Sequence, residues 1–132
     1  MKFHNERAIA TENQVYVFSS ALSGNHELYH TAKQAVLKYG AKYGRGIGIS
    51  GMSYAIPVRG YDNDLLTMES ISQYIDRFVK FTKEYSNIKF FVTRIGCGKF
   101  EYSESVIAPL FKNCGDNCSL PNSFKGFIWM KS

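Results

Sequence analysis

Proline is scarce, at three in 132 residues. No segment is of low complexity. Hydrophobic residues make up 45% of the chain and aromatics 15%, enough apolar side chain to bury a core, which excludes a disordered chain. Cysteine is also sparse. Cys97, Cys114 and Cys118 are an odd set behind a polar start, which argues against a disulfide framework and for a reducing, cytoplasmic setting. Cys114 and Cys118 are four apart with no histidine beside them, whereas a structural zinc site takes four ligands; no metal and no cofactor is expected. No run of five basic residues is present, which argues against a nucleic-acid-binding tail. No stretch approaches the roughly 20 apolar residues of a membrane span. Residues 1–13 are a polar lead-in rather than a signal peptide, and nothing repeats internally. The length suits one domain over 1–132, with its core at about 14–130. The net charge of +5 favours phosphates of any kind.

The apolar pattern alternates between two periods. Val15 to Ser19 reads as a buried strand, followed by a polar stretch, Ser20 to His26. Glu27 to Tyr39 has helical spacing at Leu28, Ala32, Ala35, Val36 and Tyr39, and Gly40 is a suitable stop. The glycine-dense run Gly44 to Gly51 reads as a loop. Ser53 to Val58 looks extended, with Pro57 confining it to an edge or a strand end. Thr67 is a good cap for a helix from Met68 to Tyr85. Ile88 to Ile95 is the strongest strand in the chain. Ser103 or Ser105 starts a helix through Phe111 that Pro109 must bend. A last apolar run, Phe127 to Trp129, reads as a strand or packing segment. Strands separated by crossover helices predict an α/β fold with a mainly parallel sheet. Ligands of such sheets bind beyond the carboxyl ends of the strands. Two loops qualify, Ser19 to His26 and Gly96 to Tyr102.

Gly46-Ile47-Gly48-Ile49-Ser50-Gly51 matches the dinucleotide fingerprint only on paper. That motif needs a strand before it and a helix after it, and here the order is reversed. Gly96-Cys97-Gly98 lies between a strand and a helix start, where paired glycines can turn backbone N–H groups towards an anion. Lys99 adds a positive charge there, and Phe100 and Tyr102 can cover a base or ribose. The plainer alternative is a tight turn. Cys97 as a nucleophile lacks a base tied to it by spacing. Arg94 interrupts an apolar strand and must be paired, either with a carboxylate or, more pointedly, with a phosphate. His26 and His30 can share a helix face but make an incomplete metal site. Asp62, Asp64 and Glu69 suit a loop and helix start, and no carboxylate pair is poised for acid–base work.

At these residues the chain resembles small macro-domain-like proteins of phages and prophages. The resemblance is carried by VYVFSS, AKQAVLKYGAKYGRGIGISGMSYAIP, FFVTRIGCGKFEYSESVIAPLF and a C-terminal Asn-Cys-x-Leu-Pro, most of residues 15 to 121. It implies a three-layer αβα sandwich on a mainly parallel or mixed sheet that binds ADP-ribose. The first loop, with Ser19, Ser20, Gly24 and Asn25, would meet the distal ribose. Gly96-Cys97-Gly98-Lys99-Phe100 would meet the diphosphate, and Arg94 and Tyr102, read from their own positions above, complete the candidate ligand residues. The chain has Ser19-Ser20-Ala21 where related proteins have Gly-Ser-Asn, and Asn25-His26-Glu27-Leu28-Tyr29 where they have a glycine-rich entrance. These departures favour binding over hydrolysis. The expected function is therefore binding of ADP-ribose or a related, also cyclic, nucleotide signal, with sequestration in phage–host conflict as its setting. The alternatives are an ADP-ribosyl hydrolase using Asn25, His26 or Glu27, and an interaction protein presenting Tyr29, Tyr61 and Trp129.

Overall fold

A computed structural model describes residues 2–129. Six strands form one sheet: β1 (Lys2–His4), β2 (Gln14–Ala21), β3 (Gly48–Ser50), β4 (Ser53–Arg59), β5 (Lys89–Val92) and β6 (Cys118–Pro121). Their order is β1-β6-β5-β2-β4-β3. Every neighbouring pair is parallel except β3 with β4. The helices are α1 (His30–Lys38), α2 (Met68–Glu84) and the short α3 (Glu104–Ile107).

The layering follows from the two-residue period of a strand. Val15, Val17, Ile56, Phe90 and Val92 pack with Ile71, Ile75 and Phe78 of α2 and with Ile107 of α3. The alternate residues Tyr16, Phe18, Ala55 and Phe91 pack with Ala32 and Ala35 of α1. Helices therefore cover both faces, giving an α/β fold with a mixed sheet, as expected. Phe78 centres the α2 side, meeting Tyr54, Phe90 and Phe111 edge to face. Rings buried like this contribute about 1.5–3 kcal/mol each.

Three helix signals act as read, whereas α1 begins at His30 rather than Glu27 and the Ser103 side chain makes no capping bond. The Thr67 side chain accepts the Ser70 N–H at 3.2 Å. Gly40, at φ +79°, ends α1. Pro109 turns the end of α3 into a 3-10 turn, Ala108–Phe111.

Five expectations are corrected. The lead-in is not wholly irregular, because Lys2–His4 pairs with Ser119–Pro121 as an edge strand. The glycine-dense run holds a strand, β3, zipped antiparallel to β4. Pro57 is not on an edge strand: it lies beyond Ala55, where β3 pairing stops, so its missing N–H interrupts no ladder there. The last strand is Cys118–Pro121, within a tail not read as a strand, while Phe127–Trp129 follows the packing alternative, as a turn that buries Ile128. Finally, β5 stops at Val92, so Arg94 is an exposed loop residue rather than an interruption of a strand.

Candidate functional site

The carboxyl ends of β2, β4 and β5 sit side by side, and the loops leaving them enclose a crevice of about 370 Å³. Leu28, Tyr29 and His30 come from the segment after β2. Arg59 and Asn63 come from the end of β4 and its turn. Gly98, Lys99 and Glu101 come from the loop after β5. Of the residues expected at a ligand, only Gly98 and Lys99 line this space.

The others hold the loops in place. Ser19 is buried, and its Oγ accepts the Gly96 N–H at 3.1 Å, tying β2 to the β5 loop. The Ser20 hydroxyl donates to the Gly46 carbonyl at 2.5 Å. Gly24, at φ +71°, donates to Ala21 and accepts from the Gly44 N–H, and a Cβ there would lie 2.4 Å from Gly44 C. Asn25 is exposed, and its Oδ1 accepts the Glu27 N–H at 3.1 Å. His26 is fully buried, edge-on to Phe18, with its Nε2 2.9 Å from the Lys42 carbonyl. A ring so enclosed latches two loops together and is not placed to activate water for a hydrolase. It precedes α1 and shares no helix face with His30. Among the described residues there is no cluster of three metal-ligating side chains.

Arg94 resolves to the carboxylate alternative. Its guanidinium pairs with Glu104 and donates to the Cys97 carbonyl at 3.2 Å. The Glu104 hydrogen bond, more than burial opposes it, raises the pKa of Arg94. Cys97 is buried, and burial with the nearby Glu104 pushes its thiol up to about 12. At neutral pH it is a protonated packing thiol, not a nucleophile. The Tyr102 hydroxyl donates to the Leu66 carbonyl at 2.9 Å, holding the start of α3 against the α2 entrance.

Three residues in the crevice were not anticipated as a unit. The Glu101 carboxylate, 2% exposed, accepts from the Tyr29 hydroxyl at 2.6 Å, from Arg59 Nε at 3.2 Å and from the Gly98 N–H at 3.0 Å. Burial, and then the Glu101 hydrogen bond, raise the Tyr29 pKa, so its hydroxyl stays a neutral donor. Burial works against the Arg59 charge, but Tyr29 and Glu101 outweigh it and raise its pKa. Tyr29 is thus half-buried and bonded rather than a free interface aromatic, whereas Tyr61 and Trp129 are exposed. One usable sequence signal was Arg59, a cation at the carboxyl end of a third strand.

Phe100 stands apart. It is 84% exposed, at φ +63°, with Lys99 Nζ 5.2 Å from its ring centre. A bulky residue in left-handed backbone is costly, and this one buries almost nothing in return.

A second cavity, about 510 Å³, lies on the α1 face between that helix and residues 4–10. Its floor includes Tyr16 and Phe91, with His4 stacked on Phe91 at 3.9 Å and Tyr39 on Tyr16 at 4.3 Å. Arg7, Lys38 and Arg94 line it, and His30 borders both cavities.

Compared with known proteins, the chain matches no family model, and no curated protein or solved structure is significantly similar to it. No described helix is long and apolar enough to cross a membrane.

Proposed function

We propose that the protein binds ADP-ribose or a related phosphate-bearing nucleotide at the carboxyl-end crevice and does not hydrolyse it. The observation that carries this reading is the convergence of the Gly98 N–H, the Arg59 guanidinium and the Tyr29 hydroxyl on one anionic group, which in the free protein is the Glu101 carboxylate. Backbone and guanidinium donors in this arrangement recognise carboxylate and phosphate alike. Three features add support. Lys99 places a further cation on the same wall. Phe100 offers an open ring face beside it, and backbone strain without a packing purpose is commonest where a ligand is held. A second cavity on the α1 face shares His30 with the crevice, and both spaces fall in the usual size range for small-molecule sites. Binding without turnover accords with a buried His26, a protonated Cys97 and a role in sequestering a signal.

The test is calorimetric titration with ADP-ribose of the wild-type protein and of Lys99→Glu, an exposed substitution that leaves the core untouched. Saturable binding, weakened about tenfold or more by the charge reversal, a difference of about 1.4 kcal/mol, is the expected result. Equal affinity of the two proteins, or no binding by the wild type, refutes the assignment. ADP-ribosylated protein is expected to remain intact after prolonged incubation.

A further inference from the structure

Among the described residues Glu101 is the only acidic side chain lining the crevice, and the donors that hold its carboxylate are those assigned above to a ligand phosphate. Its Oε2 takes the Tyr29 hydroxyl and Arg59 Nε, and its Oε1 takes the Gly98 N–H. We infer that Glu101 is a built-in competitor: it fills the anion cradle in the free protein, and a ligand phosphate must displace it to bind. The inference rests on the phosphate-binding reading and adds to it a residue that sets ligand selectivity.

Two negative groups cannot share three donors, and at contact distance in a partly enclosed site they repel strongly. Ligand and carboxylate therefore exchange. The exchange conserves the donors, since each hydrogen bond surrendered by Glu101 is remade by a phosphate oxygen. What remains is a discrimination between anions. A singly charged carboxylate or phosphodiester gains little over the resident carboxylate, whereas a diphosphate, with two charges and more acceptor oxygens, gains more. Selectivity of this kind arises from a repulsive element in the site rather than from added attraction. The geometry allows the exit. Glu101 belongs to a short turn closed by its own N–H on the Gly98 carbonyl at 3.0 Å, between the exposed Phe100 and Ser103, and the crevice beside it is open along Leu28, His30 and Lys99.

The experiment compares wild type and Glu101→Gln in calorimetric titrations with ADP-ribose and with 3′,5′-cyclic AMP, which carries a single charge, at fixed ionic strength. Glutamine keeps the length and an acceptor for the Gly98 N–H but removes the charge. The variant is expected to bind ADP-ribose about tenfold more tightly and to lose much of the preference for ADP-ribose over cyclic AMP. A variant that folds and binds ADP-ribose no more tightly than wild type makes Glu101 a structural strut and overturns the inference, leaving the nucleotide reading in place. Failure of both proteins to bind ADP-ribose overturns both. A second measurement does not depend on the variant. In wild-type protein, the side-chain carboxyl carbon resonance of Glu101 is expected to move together with the Gly98 amide as ADP-ribose saturates the site. A carboxyl resonance that stays fixed through saturation contradicts displacement.

Discussion

Gly46→Ala should destabilise the protein by about 3 kcal/mol, and the reason is a backbone contact rather than a ligand. A Cβ at Gly46 would lie 2.1 Å from the Ala21 carbonyl oxygen and 3.1 Å from that of Leu22. Ordinary contact begins near 3.4 Å, so the loop must retreat from the end of β2 by about 1.3 Å. Overpacking of this kind costs about 1–3 kcal/mol. The retreat also breaks the buried Ser20-to-Gly46 hydrogen bond, and an orphaned buried polar group costs about 1–3 kcal/mol more. Gly44 is the internal control. It sits two residues away at φ +84° with nothing within 4 Å of its virtual Cβ, so Gly44→Ala meets only left-handed strain, about 1–2 kcal/mol. Urea unfolding followed by circular dichroism separates them, provided the slope with denaturant is unchanged. A Gly46→Ala protein as stable as wild type, or less affected than Gly44→Ala, refutes the close-approach account of this glycine run.

Other expectations follow from the same loops. Phe100→Gly relieves left-handed strain without emptying a core, so the melting temperature should hold or rise while ADP-ribose affinity falls; a marked loss of stability would give Phe100 a structural role. Ser19→Ala removes the acceptor of the buried Gly96 N–H and should cost about 1–3 kcal/mol, read as a lower urea midpoint, with weaker ligand binding because the β5 loop loses its tie to β2. The Cys97 thiol is held up to about 12 from its ordinary 9.0. Above pH 9 the unfolded chain therefore releases a proton that the folded chain keeps, and stability falls as pH rises towards 12. Calorimetric melting from pH 8 to 11 should show a shallower decline for Cys97→Ala, and identical slopes would contradict the buried-thiol assignment.

The elements legible in the sequence are those whose own residues decide them. β2, β5 and α2 carry apolar patterns that declare them, although β2 runs two residues past Ser19 and β5 stops at Val92 rather than Ile95, and Pro109 marks its own bend. Illegible were the elements that exist because a partner is present. Lys2–His4 is too short and polar to declare itself and becomes a strand only by lying along Cys118–Pro121. Gly48–Ser50 reads as loop because glycine disfavours strands, yet β4 supplies the ladder that makes it one. The same distinction holds at the site. Gly98 and Lys99 could be read from a strand breaking into glycines before a helix. Glu101 could not, because its meaning comes from Tyr29, 72 positions away, and Arg59, 42 positions away. His26 sits in a polar stretch that predicts exposure, but Phe18 and the Lys42 carbonyl enclose it from elsewhere in the chain.

Nucleotide binding at the crevice is tested most directly by a two-dimensional amide NMR titration of the wild-type protein with ADP-ribose. Saturable shifts are expected at Gly96 to Tyr102, at Arg59 including its side-chain Nε–H, and at Leu28 to His30. Saturable binding that leaves those signals in place and moves another surface, or a spectrum unchanged at the highest ADP-ribose concentration, contradicts it.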